Sequence, residues 1–458
     1  MRLLKFLFVA AAAVIGPLAS APAQAQLRVE VEGRNFAPVR IAVPEFDASG
    51  GGAADAARQI GEIIRQDLAG SAVFEIVDKA SFIEKDLDIS LTPRFPDWTV
   101  IDAKALVVGN VVVDANNNMT VQFRLYDVFG GQQQFATQYT VPTPLNWRRL
   151  AHKVADDIYA QLTGDAGYFD SRIVFVAESG PPTERKRRLA IMDQDGYSPE
   201  FLLGSKSSII TPRFSPSSQT IIYGSYEADP RNPRATLLRT YLYEIETGRV
   251  EVLAEGAGSS SYAARFSPDG RYVALSREVR GNSDIYVLEL ARRLPPRQLT
   301  TSPAIDTSPS FSPDGQMIVF VSDRGSGPQL YIMRVDGSPM SCPTGGTDNA
   351  CRITFGDGQY TTPVWSPRGD WIAFTNQDSA GFYIGVIHPD GTAERRLTKS
   401  YQDEGPTWSP NGRVIAFARE AGPGAGPKLW SIDVTGRNLH RIPTPTDASD
   451  PAWSPILK

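Results

Sequence analysis

The chain has 458 residues, with 46 Lys and Arg against 51 Asp and Glu, a formal charge of −5. That balance argues against nucleic acid or anionic membrane as a main partner, and the length is too great for one compact core, so two domains are expected. The 39 Gly and 35 Pro are spread through the second half at turn-like spacing rather than in one low-complexity block, which is how short strands are punctuated.

The chain opens on an export signal. Arg2 and Lys5 form a short basic segment, Leu3 to Leu18 is an apolar run, and Ala23-Gln24-Ala25 supplies a small-x-small cleavage pattern, placing the cut before Gln26. Loss of residues 1–25 leaves 44 basic residues against 51 acidic ones, a formal −7. No later stretch is apolar enough to span a bilayer, so the mature chain is expected in an extracytoplasmic, oxidising compartment, soluble and not membrane-spanning. Just after the cut, Leu27, Val29 and Val31 alternate with Arg28, Glu30 and Glu32, the period of a half-buried strand, and Gly33 frees the chain beyond it.

Residues 26–165 read as an α/β domain. Val39 to Val43 is a strand, Asp55 to Ala69 a helix with Ile60, Ile63, Ile64 and Leu68 on one face, and Phe74 to Val77 a second buried strand. Ala105–Val113, Met119–Tyr126 and Gln134–Val141 form a meander. A last helix from Trp147 to Leu162 carries Leu150, Val154 and Ile158 at core spacing, with Gly164 as its cap and His152 assigned to its solvent side. Residues 165–171 are expected to be a semi-rigid hinge.

Residues 172–458 read as an all-β six-bladed propeller. Phe266-Ser267-Pro268-Asp269-Gly270 recurs as Phe311-Ser312-Pro313-Asp314-Gly315, with weaker copies at Phe214, Trp365, Trp408 and Trp453. The spacings of 52, 45, 54, 43 and 45 residues match a four-stranded blade. Each aromatic ends a strand and each x-Gly makes a tight turn, because Gly accepts a positive φ; the first copy has Ser217-Ser218 there instead. The sixth copy supplies one strand and Arg172–Val176, Leu189–Met192 and Glu200–Leu203 supply three. Pairing the C-terminal strand with the first propeller strands therefore completes one blade and leaves no open edge.

Cys342 and Cys351 are the only cysteines and are expected to pair across a loop containing Pro343, Gly345 and Gly346. Little else carries chemistry. His152, His388 and His440 lie in separate elements, no G-x-S-x-G elbow occurs, and the Asp-Gly pairs serve turns. No catalytic residue, metal ligand or cofactor is assigned. The loops that precede the aromatic-Ser-Pro copies instead converge around the axis at one end of the ring. They carry Ser260, Tyr262, Ala263, Asp306, Thr307, Thr361, Asp403, Glu404 and Asp447, expected to form a polar, mildly acidic rim suited to a folded protein.

The order of parts resembles the TolB family of the Tol-Pal system. The likeness rests on the aromatic-Ser-Pro-Asp-Gly repeats, on Leu162-Thr163-Gly164 leading into Arg172–Val176, and on Pro451-Ala452-Trp453-Ser454-Pro455 at the end. It implies a periplasmic adaptor without enzymatic activity, linking inner-membrane TolA to the outer-membrane lipoprotein Pal in outer-membrane integrity and constriction during division. It also implies a TolA-binding segment at Gln26, Leu27, Arg28, Val29, Glu30 and Val31, and Pal on the rim above. Other outer-membrane lipoproteins, OmpA-like proteins and bacteriocins complete the implied partners. Peptidases use similar blade repeats, so a propeller-containing periplasmic peptidase, or a regulator of one, is the alternative.

Overall fold

A computed structural model describes residue 27 and residues 37–456, apart from 86, 143–146, 205–207, 230–231, 254–258, 293 and 326. The export signal and, of the alternating segment, Gln26 and Arg28 to Gly33 lie outside the described residues. Leu27 is described, and it packs half-buried against the core of the leading domain. Among the described residues no helix is long and apolar enough to cross a membrane.

The leading region runs β1 (Val39–Ala42), β2 (Asp47–Ser49), α1 (Ala53–Gly70), β3 (Phe74–Ile76), α2 (Phe95–Thr99), β4 (Ala105–Val113), β5 (Asn118–Asp127), β6 (Gln132–Pro142) and α3 (Trp147–Thr163). The sheet order is β3-β1-β4-β5-β6, with β1 parallel to both β3 and β4 and the last three strands antiparallel. β4 reads as a continuous apolar run because both its faces are covered. Val107 and Val111 meet α1 and α3, while Leu106 and Val108 meet Phe82 and Trp98. The short α2 has no signature in the sequence. Pro96 starts it, five residues are too few to show a period, and its purpose is to bury Trp98, whose indole donates to Glu84 Oε2 at 3.0 Å.

The propeller has six four-stranded blades, each ordered from its innermost to its outermost strand. Blade 1 is Asp447–Trp453, Arg172–Ser179, Lys186–Asp193 and Glu200–Phe201. Blade 2 is Ser208–Phe214, Thr220–Asp229, Asn232–Glu244 and Val250–Val252, and blade 3 is Ser261–Phe266, Tyr272–Val279, Asn282–Glu289 and Arg297–Gln298. Blade 4 is Asp306–Phe311, Met317–Ser322, Gln329–Arg334 and Cys351–Arg352. Blades 5 and 6 begin at Gln359–Trp365 and Gln402–Trp408 and end at Arg395–Arg396 and His440–Arg441.

The repeated turn has a definite chemistry. Ser267 Oγ accepts from the Tyr272 N–H at 2.9 Å and donates to Asp269 Oδ1 at 2.5 Å, and that same oxygen accepts from the Arg271 N–H at 3.0 Å. Ser312, Asp314 and Met317 repeat the set, as do Ser409, Asn411 and Val414. The Asp carboxylate is thereby engaged within its own turn. Gly369 shows why glycine follows: its φ is +82°, and a Cβ there would sit 3.2 Å from Pro313 of the preceding blade. The Ser217-Ser218 copy still closes its hairpin, with Ser215 N–H donating to Thr220 O at 2.8 Å.

The last copy makes the same contacts across the ring closure. Ser454 N–H donates to Arg172 O at 2.7 Å, and Arg172 N–H donates to Ser454 Oγ at 2.8 Å. The two groups are 282 residues apart, yet they reproduce what Ser267 does with Tyr272 five residues on.

The leading region sits on the face of the ring that carries the Ser-Pro turns. α1, α3, Tyr168 and Phe169 share one apolar core with Ile173, Phe175, Met192, Val414 and Trp453. Asp165 accepts from Arg413 at 2.5 and 2.8 Å and from Arg368 at 2.9 Å. Residues 165–171 are therefore pinned, with Tyr168 and Phe169 buried, rather than forming a hinge. The second packing surface also corrects the placement of His152. It is 2% exposed, with Nδ1 2.7 Å from Asp67 Oδ2 on α1. Helical period reveals the face of α3 that meets its own sheet; it does not reveal the one that meets another domain.

Cys342 and Cys351 are joined by a disulfide with a Cα–Cα distance of 5.2 Å. The loop it closes carries its own small ladder, Met340–Ser341 on Thr347–Asp348. So short a loop contributes about 2–3 kcal/mol. Reduction is expected to lower the melting temperature by a few degrees while the ring still unfolds in one transition, readable by circular dichroism with and without reductant. Collapse of the whole propeller on reduction would contradict this.

Candidate protein-docking rim and axial channel

The innermost strands of neighbouring blades contact one another all the way round, from Ser208–Phe214 through to Asp447–Trp453 and back. Each has the same break in register on its partner, between Ile210 and Arg213, Tyr262 and Arg265, Thr307 and Ser310, Thr361 and Val364, Glu404 and Thr407, and Ser449 and Ala452. At each break one residue takes a positive φ: Thr211, Ala263, Ser308, Thr362, Gly405 and Asp450, between 47° and 63°. In five of the six the next residue is proline, which restricts its predecessor further. Such bulges bend a strand, here around the axis. Five of the six are non-glycine, a strain of order 1–3 kcal/mol apiece. Neighbouring groups hold them: Ser308 N–H donates to Ser276 Oγ at 3.0 Å, Gly405 N–H to Thr375 Oγ1 at 3.2 Å, and Thr211 N–H to Asp450 Oδ2 at 3.2 Å.

Just before each bulge lies one half-buried residue: Ile210, Tyr262, Thr307, Thr361, Glu404 and Ser449. Four of these belong to the rim expected from the sequence, and the structure places them at equivalent positions of one ring. They lie toward the end of the propeller opposite the leading region. Tyr262 Oη is 2.8 Å from Ser283 Oγ, and burial raises its pKa. Burial likewise raises that of Glu404, helped by the nearby Asp450 charge. Ser260 at the loop end accepts from Leu238 N–H at 3.3 Å. Ile210 and Ser449 are not among the residues expected from the sequence: Ile210 is apolar, and in the last copy the expected residue, Asp447, lies two positions before Ser449.

The acidic character expected of this rim is largely spent inside the molecule. Asp306 and Asp403 are wholly buried. Arg324 Nη2 donates to Asp306 at 2.7 Å, and Arg419 grips Asp403 with two bonds of 2.6 and 2.7 Å. Asp447 holds Lys428 Nζ at 2.5 Å and also accepts from Arg185. These aspartates tie the start of an inner strand to the next hairpin; they are not free to meet a partner. The far end also exposes large apolar side chains. Ile305, Phe355 and Tyr401 stand 49–58% exposed in the loops leading into blades 4, 5 and 6, and Tyr226 and Val279, in the hairpins of blades 2 and 3, are exposed as well. A single large apolar residue in a polar loop is the signal that the sequence offers for them.

At the opposite end the axis opens into a cavity of about 570 Å³ beneath the Ser-Pro turns, flanked by Ala166 and Gly167. The residue before each aromatic forms its ring: Arg213, Arg265, Ser310, Val364, Thr407 and Ala452. A separate polar cluster joins the two domains, with ligand-type atoms of His152, Asp193 and Asp195 within 4.8 Å of one another. Arg148 already lies among them, 2.5 Å from Asp195 and 3.7 Å from Asp193, so the carboxylates there neutralise cations of the chain itself.

Comparison with known proteins agrees with this architecture. Residues 27–134 match the TolB amino-terminal domain and residues 159–457 the TolB beta propeller domain. A Tol-Pal system protein TolB from Gluconobacter oxydans (strain 621H) is 44% identical over 442 residues, 95% of this chain and 90% of that one. The crystal structure of TolB from Acinetobacter baumannii superposes with a TM-score of 0.78 at 27% identity, covering 94% of this chain and all of the other. A leading α/β region, a six-bladed ring closed by its own C-terminal strand, and these likenesses along nearly the whole length place the chain in the TolB family of Tol-Pal system proteins.

Proposed function

We propose that this chain is a periplasmic adaptor without enzymatic activity, holding the outer-membrane lipoprotein Pal on the far rim of the propeller and inner-membrane TolA through its N-terminal segment. In that role it serves outer-membrane integrity and constriction during division. The observation that carries the reading is the division of faces. The leading region covers the Ser-Pro face, while the far rim remains open with Tyr262, Thr307 and Thr361 beside exposed Ile305, Phe355 and Tyr401. Aromatic and aliphatic anchors around small hydroxyls are what a folded partner needs for a few dominant contacts. For the other partner, Leu27 docks on the core, and the alternation from Gln26 to Val31 suits addition of a strand to a partner sheet.

Calorimetric titration of the soluble Pal domain tests the first half. Thr307→Arg and Tyr262→Ala are expected to weaken binding by about tenfold or more, on the order of 1.4 kcal/mol or above, while Asp314→Asn on the opposite face leaves it unchanged. Removal of residues 26–35 is expected to abolish TolA capture and to spare Pal. If both rim variants bind as the parent does and Asp314→Asn does not, the interface lies on the other end.

A further inference from the structure

The cavity at the Ser-Pro end contains two arginines from adjacent blades without a carboxylate to pair with. Arg213 is 7% exposed. Its Nη1 donates to the carbonyls of Pro212 at 2.7 Å and Pro451 at 3.4 Å, and its Nε has no partner among the described residues. The side chain of Arg265, half-buried beside it, makes no hydrogen bond or ion pair with any described residue. Burial lowers the Arg213 pKa to about 10 and holds Arg265 well below the ordinary guanidinium range, with the charge of Arg213 adding to the effect on Arg265.

The acids nearby do not resolve this. Asp450 is felt by both arginines, but it lies beyond ion-pair distance, and its Oδ2 accepts from the Thr211 N–H at 3.2 Å. Glu404, on the inner strand of blade 6, accepts from Gln402. Two like charges on neighbouring inner strands, one of them buried, repel one another unless something neutralises them.

The rest of the ring is arranged to help. Ser310 Oγ and Thr407 Oγ1 each accept a backbone N–H, from Trp365 and Trp453, both at 3.1 Å. Each hydroxyl proton is left to donate, since no acceptor for it occurs among the described residues. Val364 and Ala452 complete the ring as apolar walls, which strengthen any charge pairing inside. Guanidinium forks and hydroxyl donors around one cavity suit an oxyanion.

We propose that the axial cavity of this propeller is a binding site for a small, freely diffusing oxyanion of the phosphate or carboxylate class, held by Arg213 and Arg265 with Ser310 and Thr407. The site is separate from the far rim and does not depend on the adaptor reading.

Inorganic phosphate is the probe, added to the full mature chain at pH 7 and constant ionic strength. Saturable binding by calorimetry is expected, with a rise in melting temperature that chloride does not reproduce. Arg265→Gln makes the sharpest variant, because that side chain holds nothing else in place. Without phosphate it is expected to melt at or above the parent temperature, since an unpaired cation beside Arg213 has gone. With phosphate it loses the rise, and binding weakens at least tenfold. Arg213→Gln is expected to weaken binding likewise, and should it fold poorly the Arg265 variant decides alone. Equal stabilisation by chloride, or unchanged phosphate binding in Arg265→Gln, overturns the proposal. So does a melting temperature for that variant well below the parent in chloride, which would make the arginine structural.

Discussion

Removal of residues 450–458 is expected to abolish cooperative unfolding and to leave an aggregating protein. The deletion cuts the strand Asp447–Trp453, whose pairing with Arg172–Ser179 runs from Asp447 opposite Glu178 to Trp453 opposite Ile173. Three kinds of support go at once. The paired backbone of blade 1 is opened, leaving a bare strand edge of the sort that templates aggregation. The Ser454 contacts that tie the end of the ring to its start disappear. Trp453 goes too, and it is the pivot: its indole donates to Ser171 Oγ at 2.8 Å, its ring stacks edge-on against Tyr168 at 5.8 Å, and its N–H donates to Thr407 Oγ1. Those contacts belong to the core shared by both domains. Truncation of such a side chain alone costs about 3–5 kcal/mol, a large share of the roughly 5–15 kcal/mol typical of a folded domain. Trp453→Ala is therefore the graded version, expected to melt many degrees lower yet remain folded. A truncated chain that melts cooperatively at the parent temperature would show that the tail does not close the ring.

The same residues explain what was legible in the sequence. The turn Ser-Pro-Asp-Gly is a local device: Ser Oγ, Asp Oδ1 and a positive-φ glycine satisfy one another within six residues, so the complete copies at Phe266 and Phe311 identify the weaker ones and six copies fix the ring. Ring closure was readable for the same reason, because Ser454 retains the signature while its partner Arg172 lies elsewhere. The meander was readable because β4 to β6 pair with sequence neighbours. What escaped was set by contacts between distant elements. His152 lies on a second buried face of α3, between Asp67 of α1 and the propeller's Gln194 and Asp195. Asp306 and Asp403 look like polar loop residues until Arg324 and Arg419 are seen to fold back on them. The unpaired state of Arg213 and Arg265 depends on which strands meet at the axis, and no spacing in the chain expresses that.

The buried cluster between the domains is expected to make stability fall between pH 7 and pH 10, and to do so through His152. Its Nδ1 meets Asp67 Oδ2 at 2.7 Å and its Nε2 lies 3.8 Å from Asp195, while Gln194 Nε2, from the propeller, donates to Asp67 Oδ1 at 3.0 Å. Burial by itself would lower the histidine pKa. The charge and hydrogen bond of Asp67, with the charge of Asp195, outweigh that and raise it to about 9, against the opposing charge of Arg148. Burial raises Asp67 as well, so the pair shares one desolvated site. The proton resides on His152, because two carboxylates face that ring and Gln194 donates to the carboxylate. A folded pKa above the unfolded value of 6.5 gives a contribution that is complete below about pH 6.5 and is lost as pH rises through about 9. The shift corresponds to a few kcal/mol, on the order of 3, and it acts at the joint between the domains. The measurement is the melting temperature from pH 6 to pH 10 for the parent, His152→Gln and Asp67→Ala. The parent is expected to lose stability above pH 8 more steeply than His152→Gln, whose profile there flattens. Asp67→Ala removes what holds that proton, so burial leaves His152 neutral at pH 7; the variant is expected to lose the contribution of the pair, on the order of 3 kcal/mol, and to show a profile above pH 8 as flat as that of His152→Gln. Parallel pH profiles in all three proteins would remove His152 as the titrating group.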